Sequence, residues 1–222
     1  MENTDILNGI KAVIFDMDGT IIDSLHIWHD IDREFLGRYV KDPDLYAYQK
    51  ALEGLSFVQV AEYTRETYDI PMEVEDICAE WNRMAEYKYA NEIVYKPYAE
   101  EYILKLKERG IKLGVATSNS RHLVEKLIPR LHIDEYMSVI LTGDEIHNGK
   151  PDPEIYLTAA KMLSVPCDKC LVFEDVIAGI EAGHNAGMKV CAVYDTATKD
   201  CDDIKRARAD HYIKGYDELI YA

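Results

Sequence analysis

The chain has 222 residues, 48% of them hydrophobic, which is ample for a folded core and rules out a disordered chain. Its formal net charge of -16 excludes broad, nonspecific binding to nucleic acid or to an anionic membrane surface, because both need a basic face. Residues 1–8 hold acids but no basic stretch, and the apolar run that follows is short and ends in Asp16, so the expectation is no signal peptide, no membrane span and a cytoplasmic address.

The first predicted element is the run Ala12-Val-Ile-Phe15, which stops on Asp16 and is followed by Met17, Asp18, Gly19 and Thr20. A short β-branched and aromatic run of this kind reads as a buried parallel strand with Asp16 at its carboxyl end, where open α/β sheets bind ligands. Residues two apart in an extended chain project to the same side, about 6 to 7 Å apart, so Asp16 and Asp18 can face one small site. Their mutual repulsion calls for a cation or a shared proton.

From His26 to Tyr95 the sequence shows helical periodicity and no convincing strand. Leu52, Leu55, Val58 and Ala61, then Ile77, Trp81, Met84 and Ala85, recur at three- and four-residue spacing, with Pro43 and Pro71 as breaks and Pro97 as the return to the main body. Beyond Pro97 helices and apolar runs alternate: helix 98–109, strand 112–116, helix 121–131, strand 138–141. Next come a helix with Asp152 as its N-cap and Pro153 at its first position, strand 171–173, helix 176–186, strand 190–193, an edge strand at Tyr212-Ile213 and a terminal helix. This repetition predicts an α/β fold, a Rossmann-like doubly wound parallel sheet. Residues 1–25 and 96–222 form its core, and residues 26–95 form an all-helical insertion after the first strand.

The same layout collects polar residues at the carboxyl edge of the sheet. Thr117-Ser118-Asn119 follows one strand, Lys150-Pro151 lies in the loop after the next, and Glu174-Asp175 ends the strand beginning at Leu171. Adjacent strands lie about 4.8 Å apart, so these groups fall within the span of one phosphate and its metal. Phosphoryl transfer needs a nucleophile, a proton carrier, positive charge and oriented donors. Asp16 can attack phosphorus and form an acyl phosphate, and Asp18 can protonate the leaving alkoxide and later deprotonate water. Asp16 and Asp175, with Glu174 as a further candidate, offer the oxygen ligands that Mg²⁺ prefers. Lys150 supplies a point charge, and Thr117, with the backbone amides that follow it, can hydrogen-bond the phosphoryl oxygens.

These residues, Asp16-Met-Asp18-Gly-Thr20, Thr117, Lys150-Pro151 and Glu174-Asp175, resemble the four ordered motifs of the haloacid dehalogenase superfamily, and most nearly its β-phosphoglucomutase-like branch. The resemblance spans the whole chain, with the insertion corresponding to a mobile helical cap. It implies Asp16 as nucleophile, Asp18 as general acid/base and backbone-carbonyl metal ligand, and Thr117, Ser118, Asn119 and Lys150 as phosphate binders. Asp175 is implied as a Mg²⁺ ligand, with Glu174 ligating directly or through water.

That branch contains phosphatases and sugar-phosphate mutases. In the mutases a segment resembling Glu53-Gly54-Leu55-Ser56 precedes an arginine that grips a distal phosphate, where this chain has Phe57, and a histidine that aligns the acid/base aspartate stands where this chain has Trp28. A phenyl ring cannot pair with a dianion, so Phe57 argues against mutase activity. The expected function is a Mg²⁺-dependent phosphatase of small phosphorylated metabolites, with sugar phosphates as candidates, and the chain a monomer or weak oligomer. The alternatives are a mutase that uses Arg65, Arg83 or Lys88 for the distal phosphate, and a non-catalytic phosphometabolite binder, which the retained Asp16 and Asp18 disfavour.

Simpler readings attach to other residues. Thr20, Asp23 and Ser24 are expected to brace a turn and start a helix, Gly179 and Gly183 to permit close helix packing, and His26, His29 and His184 to be solvated or core residues. Tyr39, Tyr46, Tyr48, Tyr87 and Tyr89 are expected on helix surfaces, some lining a pocket. Cys78, Cys167, Cys170, Cys191 and Cys201 form an odd set expected to be reduced, and Cys167-x-x-Cys170 lacks the second pair that a zinc site needs.

Overall fold

A computed structural model gives the protein's structure over residues 6–52 and 55–221. Among these residues six strands form one sheet: β1 (Ala12–Phe15), β2 (Lys112–Ala116), β3 (Val139–Leu141), β4 (Cys170–Glu174), β5 (Lys189–Val193) and β6 (His211–Ile213). All neighbours are parallel, in the order β3-β2-β1-β4-β5-β6. The direction of strand succession reverses between β1 and β4, so a crevice opens at the carboxyl ends of those two strands. Asp16 and Glu174-Asp175 stand at its two sides.

β1 is buried along its whole length because it is covered on both faces. Val13 and Phe15 point into one apolar cluster, Ala12 and Ile14 into another. Each large side chain so buried contributes about 1.5 to 3 kcal/mol, which fixes the strand and with it the position of Asp16.

Four helices follow β1: α1 (Leu25–Leu36), α2 (Leu45–Leu52), α3 (Phe57–Tyr68) and α4 (Val74–Asn91). Pro43 and Pro71 fall in the breaks between them, and Ile77, Trp81 and Ala85 form the buried stripe of α4. The predicted stripe from Leu52 to Ala61 is not one helix. Ser56 starts a new one, accepting the Gln59 N–H at 3.4 Å while the Gln59 side chain accepts the Ser56 N–H at 2.8 Å. Val58 is accordingly exposed while Ala61 is buried, and Glu53 and Gly54 lie outside the described residues. The core cluster on the Phe15 face runs without interruption into these helices through Ile27, Phe35, Trp81 and Tyr89.

The remaining helices are α5 (Ala99–Glu108), α6 (Arg121–Leu131), α7 (Ile133–Tyr136), α8 (Glu154–Leu163), α9 (Ile177–Asn185), α10 (Asp202–Arg208) and α11 (Asp217–Ile220). Most predicted boundaries hold to within a residue or two. α8 starts one residue later than predicted: Pro153 takes the cap position, and the Asp152 carboxylate reaches past it to accept the Glu154 N–H at 2.9 Å. β4 is longer than predicted and includes Glu174, since burial on both sides extends the ladder to that residue. No helix among the described residues is long and apolar enough to cross a membrane.

Candidate active site

The crevice is floored by an ionic cluster from two strand ends and one loop. Asp16, at the end of β1, Lys150, in the loop before α8, and Glu174, at the end of β4, are all nearly inaccessible to solvent. The Lys150 ammonium donates to Asp16 Oδ1 and to Glu174 Oε1, each at 2.6 Å, and to the Ala116 carbonyl at 3.3 Å. Glu174 Oε1 also accepts from the Tyr156 hydroxyl, and its Oε2 accepts the Asp175 N–H at 3.2 Å. Burial alone would lower the Lys150 pKa, but the Asp16 and Glu174 carboxylates outweigh it and hold the ammonium charged.

One fully buried oxygen of this cluster is left over. Asp175 Oδ1 accepts the Thr20 hydroxyl at 2.9 Å, whereas Oδ2 is buried and has no hydrogen-bond partner among the described residues. Burial raises the Asp175 carboxyl to about 7, with Glu174 adding to the rise, and burial likewise raises Asp16 against the pull of Lys150. The cluster thus lacks positive charge. Asp16, Glu174 and Asp175 each bring an oxygen within 4.8 Å of the others, so three carboxylates face one ammonium. That deficit of two charges, the hard oxygen donors and the orphaned Asp175 oxygen together fit a divalent cation such as Mg²⁺. Gly19, at φ +77°, lets the chain turn beneath Asp175, where a Cβ would lie 2.5 Å from Oδ2.

Asp18 stands apart from the cluster and is held differently. Its Oδ1 accepts two hydroxyls, Ser24 at 2.6 Å and Tyr89 at 2.5 Å. Its Oδ2 accepts the Asn119 amide at 3.0 Å and faces the Thr117 hydroxyl at 3.5 Å. The proton between Tyr89 and Asp18 has only one possible owner when the carboxylate is ionised. Tyr89 Oη already accepts the Trp28 indole N–H at 2.8 Å and the second Asn119 amide hydrogen at 2.9 Å, so its own hydrogen points at Asp18. The Asn119 amide is oriented in turn by Ser120, whose N–H donates to Asn119 Oδ1 at 2.7 Å.

The facing wall of the cavity comes from the helices after β1. Its volume is about 320 Å³, and its lining joins Asp16, Asp18, Thr117 and Lys150 to Trp28 and Phe57. Trp28 on α1 packs edge-on against Phe57 at 5.8 Å between ring centres and against Tyr89 at 5.9 Å, and Phe57 packs on Trp81 at 5.7 Å. The two predicted cap positions therefore touch each other. Arg65, Arg83 and Lys88 are absent from this lining, and each pairs with a neighbouring glutamate, Glu73, Glu80 and Glu92 respectively.

Asp16, Asp18, Thr117, Asn119, Lys150, Glu174 and Asp175 thus gather at one place, and Ser118 lines the same cavity. The Asn119 side chain is committed to Asp18 and Tyr89. Four residues beyond the predicted set enter the site. Ser24 has the N-cap position of α1, yet its hydroxyl turns to Asp18, and Thr20 does more than brace its turn, since it donates to Asp175. Tyr156, in the first turn of α8, closes over Glu174, and nothing in the local sequence marks it. Of the tyrosines expected on helix surfaces, Tyr89 and Tyr48 are buried, whereas Tyr46 and Tyr87 are exposed. Gly179 has the expected packing role: a Cβ there would lie 2.0 Å from the Glu174 carboxylate. Cys167 and Cys170 are free thiols, as are Cys78, Cys191 and Cys201.

Known proteins are similar to this chain in sequence and in fold. The profile of the haloacid dehalogenase-like hydrolases matches residues 13–193. Phosphorylated carbohydrates phosphatase of Thermotoga maritima is 30% identical over 81% of this chain and 83% of its own length. The bifunctional riboflavin kinase/FMN phosphatase of Arabidopsis thaliana is 35% identical over 82% of this chain, which spans about half (48%) of that larger protein. Among solved structures, a variant of CbbY from Rhodobacter sphaeroides in complex with xylulose-1,5-bisphosphate superposes with a TM-score of 0.81 at 26% identity, over 95% of this chain and 96% of that one. With the strand order, the acid-terminated first strand and a profile match over most of its length, this chain belongs to the haloacid dehalogenase-like hydrolases.

Proposed function

We propose that the protein is a Mg²⁺-dependent phosphatase that hydrolyses small phosphorylated metabolites, sugar phosphates among them, through an aspartyl-phosphate on Asp16. Its class, a phosphoric monoester hydrolase, is that of the phosphatases it is related to. The observation that carries the finer reading is the contrast between two carboxylates two residues apart, Asp16 in a cation-deficient cluster and Asp18 in a cage of hydroxyl and amide donors.

In this reading Lys150 fixes Asp16 Oδ1 and leaves Oδ2 to attack phosphorus, since Oδ2 accepts no hydrogen bond from a described residue. A Mg²⁺ ion held by Asp16, Glu174 and Asp175 would supply the charge that offsets the carboxylates and the phosphoryl oxygens. As the phosphorus–alkoxide bond breaks, Asp18 gives its proton to the departing oxygen. Asp18 then takes a proton from the water that attacks the acyl phosphate, releasing inorganic phosphate and restoring Asp16. Lys150 and the Thr117 hydroxyl steady the phosphoryl oxygens throughout.

The loss of the mutase histidine does not leave Asp18 unaligned, as its absence alone would suggest: Tyr89, itself held by Trp28, supports it instead. The three cations named for the mutase alternative, Arg65, Arg83 and Lys88, are each paired with a glutamate away from the cavity lining, which supports the phosphatase reading. The test is phosphate release from a panel of monophosphates. Turnover should need Mg²⁺, stop with EDTA, and vanish in Asp16→Asn with the fold unchanged by circular dichroism. Acid-quenched reactions with labelled substrate should leave phosphate on wild-type protein at Asp16. Full activity in Asp16→Asn would remove that residue from its role.

A further inference from the structure

One more buried acid faces the cavity. Asp32 on α1 is 9% exposed and lines the cavity together with Gln49 of α2. Its only hydrogen bond among the described residues comes from Gln49 Nε2, to Oδ2 at 3.1 Å, and no lysine, arginine or histidine forms an ion pair with it. Neighbouring hydroxyls are already committed. Tyr48 Oη and Thr64 Oγ1 bond each other at 2.7 Å, and Thr64 donates to the Val60 carbonyl at 2.7 Å. Oδ1 of Asp32 is thus an unpartnered acceptor on a residue that lines the cavity. A buried carboxylate without a counter-charge is destabilising, so a purely structural role at this position is better served by an apolar side chain.

We infer that Asp32 and Gln49 form a subsite for hydroxyl groups on the alcohol portion of a phosphate monoester, making the preferred substrates neutral polyol or sugar monophosphates. The inference rests on the phosphatase reading and narrows its substrate class. Two features select that chemistry. The open Asp32 oxygen accepts hydroxyl hydrogens and repels a second phosphate. The Trp28 and Phe57 rings offer apolar surface to the C–H face of a sugar.

The experiment compares Asp32→Leu with wild type on hexose and pentose monophosphates and on phenyl phosphate, which has no hydroxyl to bind. The expected result is a roughly tenfold or larger fall in kcat/KM for the best sugar monophosphate, carried by KM, because a hydrogen bond to a charged group is lost. Phenyl phosphate should change by less than about twofold, since nothing it touches is removed. The melting temperature should hold or rise, whereas a structural hydrogen bond would make it fall. Gln49→Leu should show the same selectivity with a smaller loss. Equal losses on sugar and phenyl esters, or no loss on either, overturn the inference, as does a wild-type preference for bisphosphates or aminated phosphates. Wild-type protein that hydrolyses neither ester overturns the phosphatase reading, a result distinct from hydrolysis without Asp32-dependent selectivity.

Discussion

The floor and the facing wall of the cavity are stabilised in opposite ways. On the floor, buried charges neutralise one another: Lys150 binds Asp16 and Glu174, and each acid is needed by its neighbour. On the wall, aromatic rings pack edge to face, and the polar contact that leads out of them is the hydrogen bond from Trp28 to Tyr89. A charge network is all-or-none because removing one member strands the rest in low dielectric. An aromatic wall is graded, because a changed ring alters shape and area while leaving no charge unpaired. This teaches where variation is tolerable. The buried charges make up the unforgiving side and the aromatic rings the adaptable one.

Substitutions on each side test that contrast. The largest effect is expected for Lys150→Met, which leaves Asp16 and Glu174 buried without their ammonium and should lower stability by about 3 to 5 kcal/mol in urea denaturation at neutral pH. A loss below about 1 kcal/mol would show that the floor is not a mutually dependent network.

Asp32 should register next, in the pH dependence of stability. Burial raises its carboxyl from 3.8 to about 6. The folded protein then binds more protons at this site than the unfolded chain does, so stability falls as pH rises across the window from about 4 to about 6. The contribution lost is on the order of 3 kcal/mol, and Asp32→Asn should remove that slope while leaving the protein more stable at neutral pH. An unchanged slope in Asp32→Asn would assign it to other acids.

The smallest effect separates positioning from packing on the wall. Tyr89→Phe keeps the ring against Trp28 but removes the hydroxyl that orients Asp18. Alkyl phosphates, whose leaving group needs a proton, should lose about tenfold to a hundredfold in kcat/KM, a part of what general acid catalysis contributes. Nitrophenyl phosphate, which departs readily without one, should be nearly unaffected. Equal losses on both would mean that Tyr89 only shapes the cavity.

The floor was legible in the sequence because its logic is local. An apolar run that ends in an acid marks a strand end, and parallel pairing brings such ends together whatever lies between them; Asp16, Thr117, Glu174 and Asp175 follow from that alone. Lys150 followed from its loop between two such strands. The wall was legible only as helices. Whether a helical tyrosine is a surface ring or a buried hydrogen-bond donor depends on the roll and tilt of its helix against a distant element, which periodicity does not encode. Tyr89 lies 71 residues from Asp18 and Trp28 lies 61 from Tyr89, so neither contact leaves a local trace. Ser24 was hidden for a different reason: as the residue before α1 it has a sufficient local explanation as a cap, and the competing bond to Asp18 appears only in three dimensions.

Asp18 is held from four directions at once: Ser24 ahead of α1, Tyr89 from α4, and Asn119 and Thr117 beyond β2. Of these only Tyr89 belongs to the helices that roof the cavity. A shift of α4 would lengthen that one bond and leave the contacts of Ser24, Asn119 and Thr117 in place, so the roof and the sheet edge share the holding of a single carboxylate.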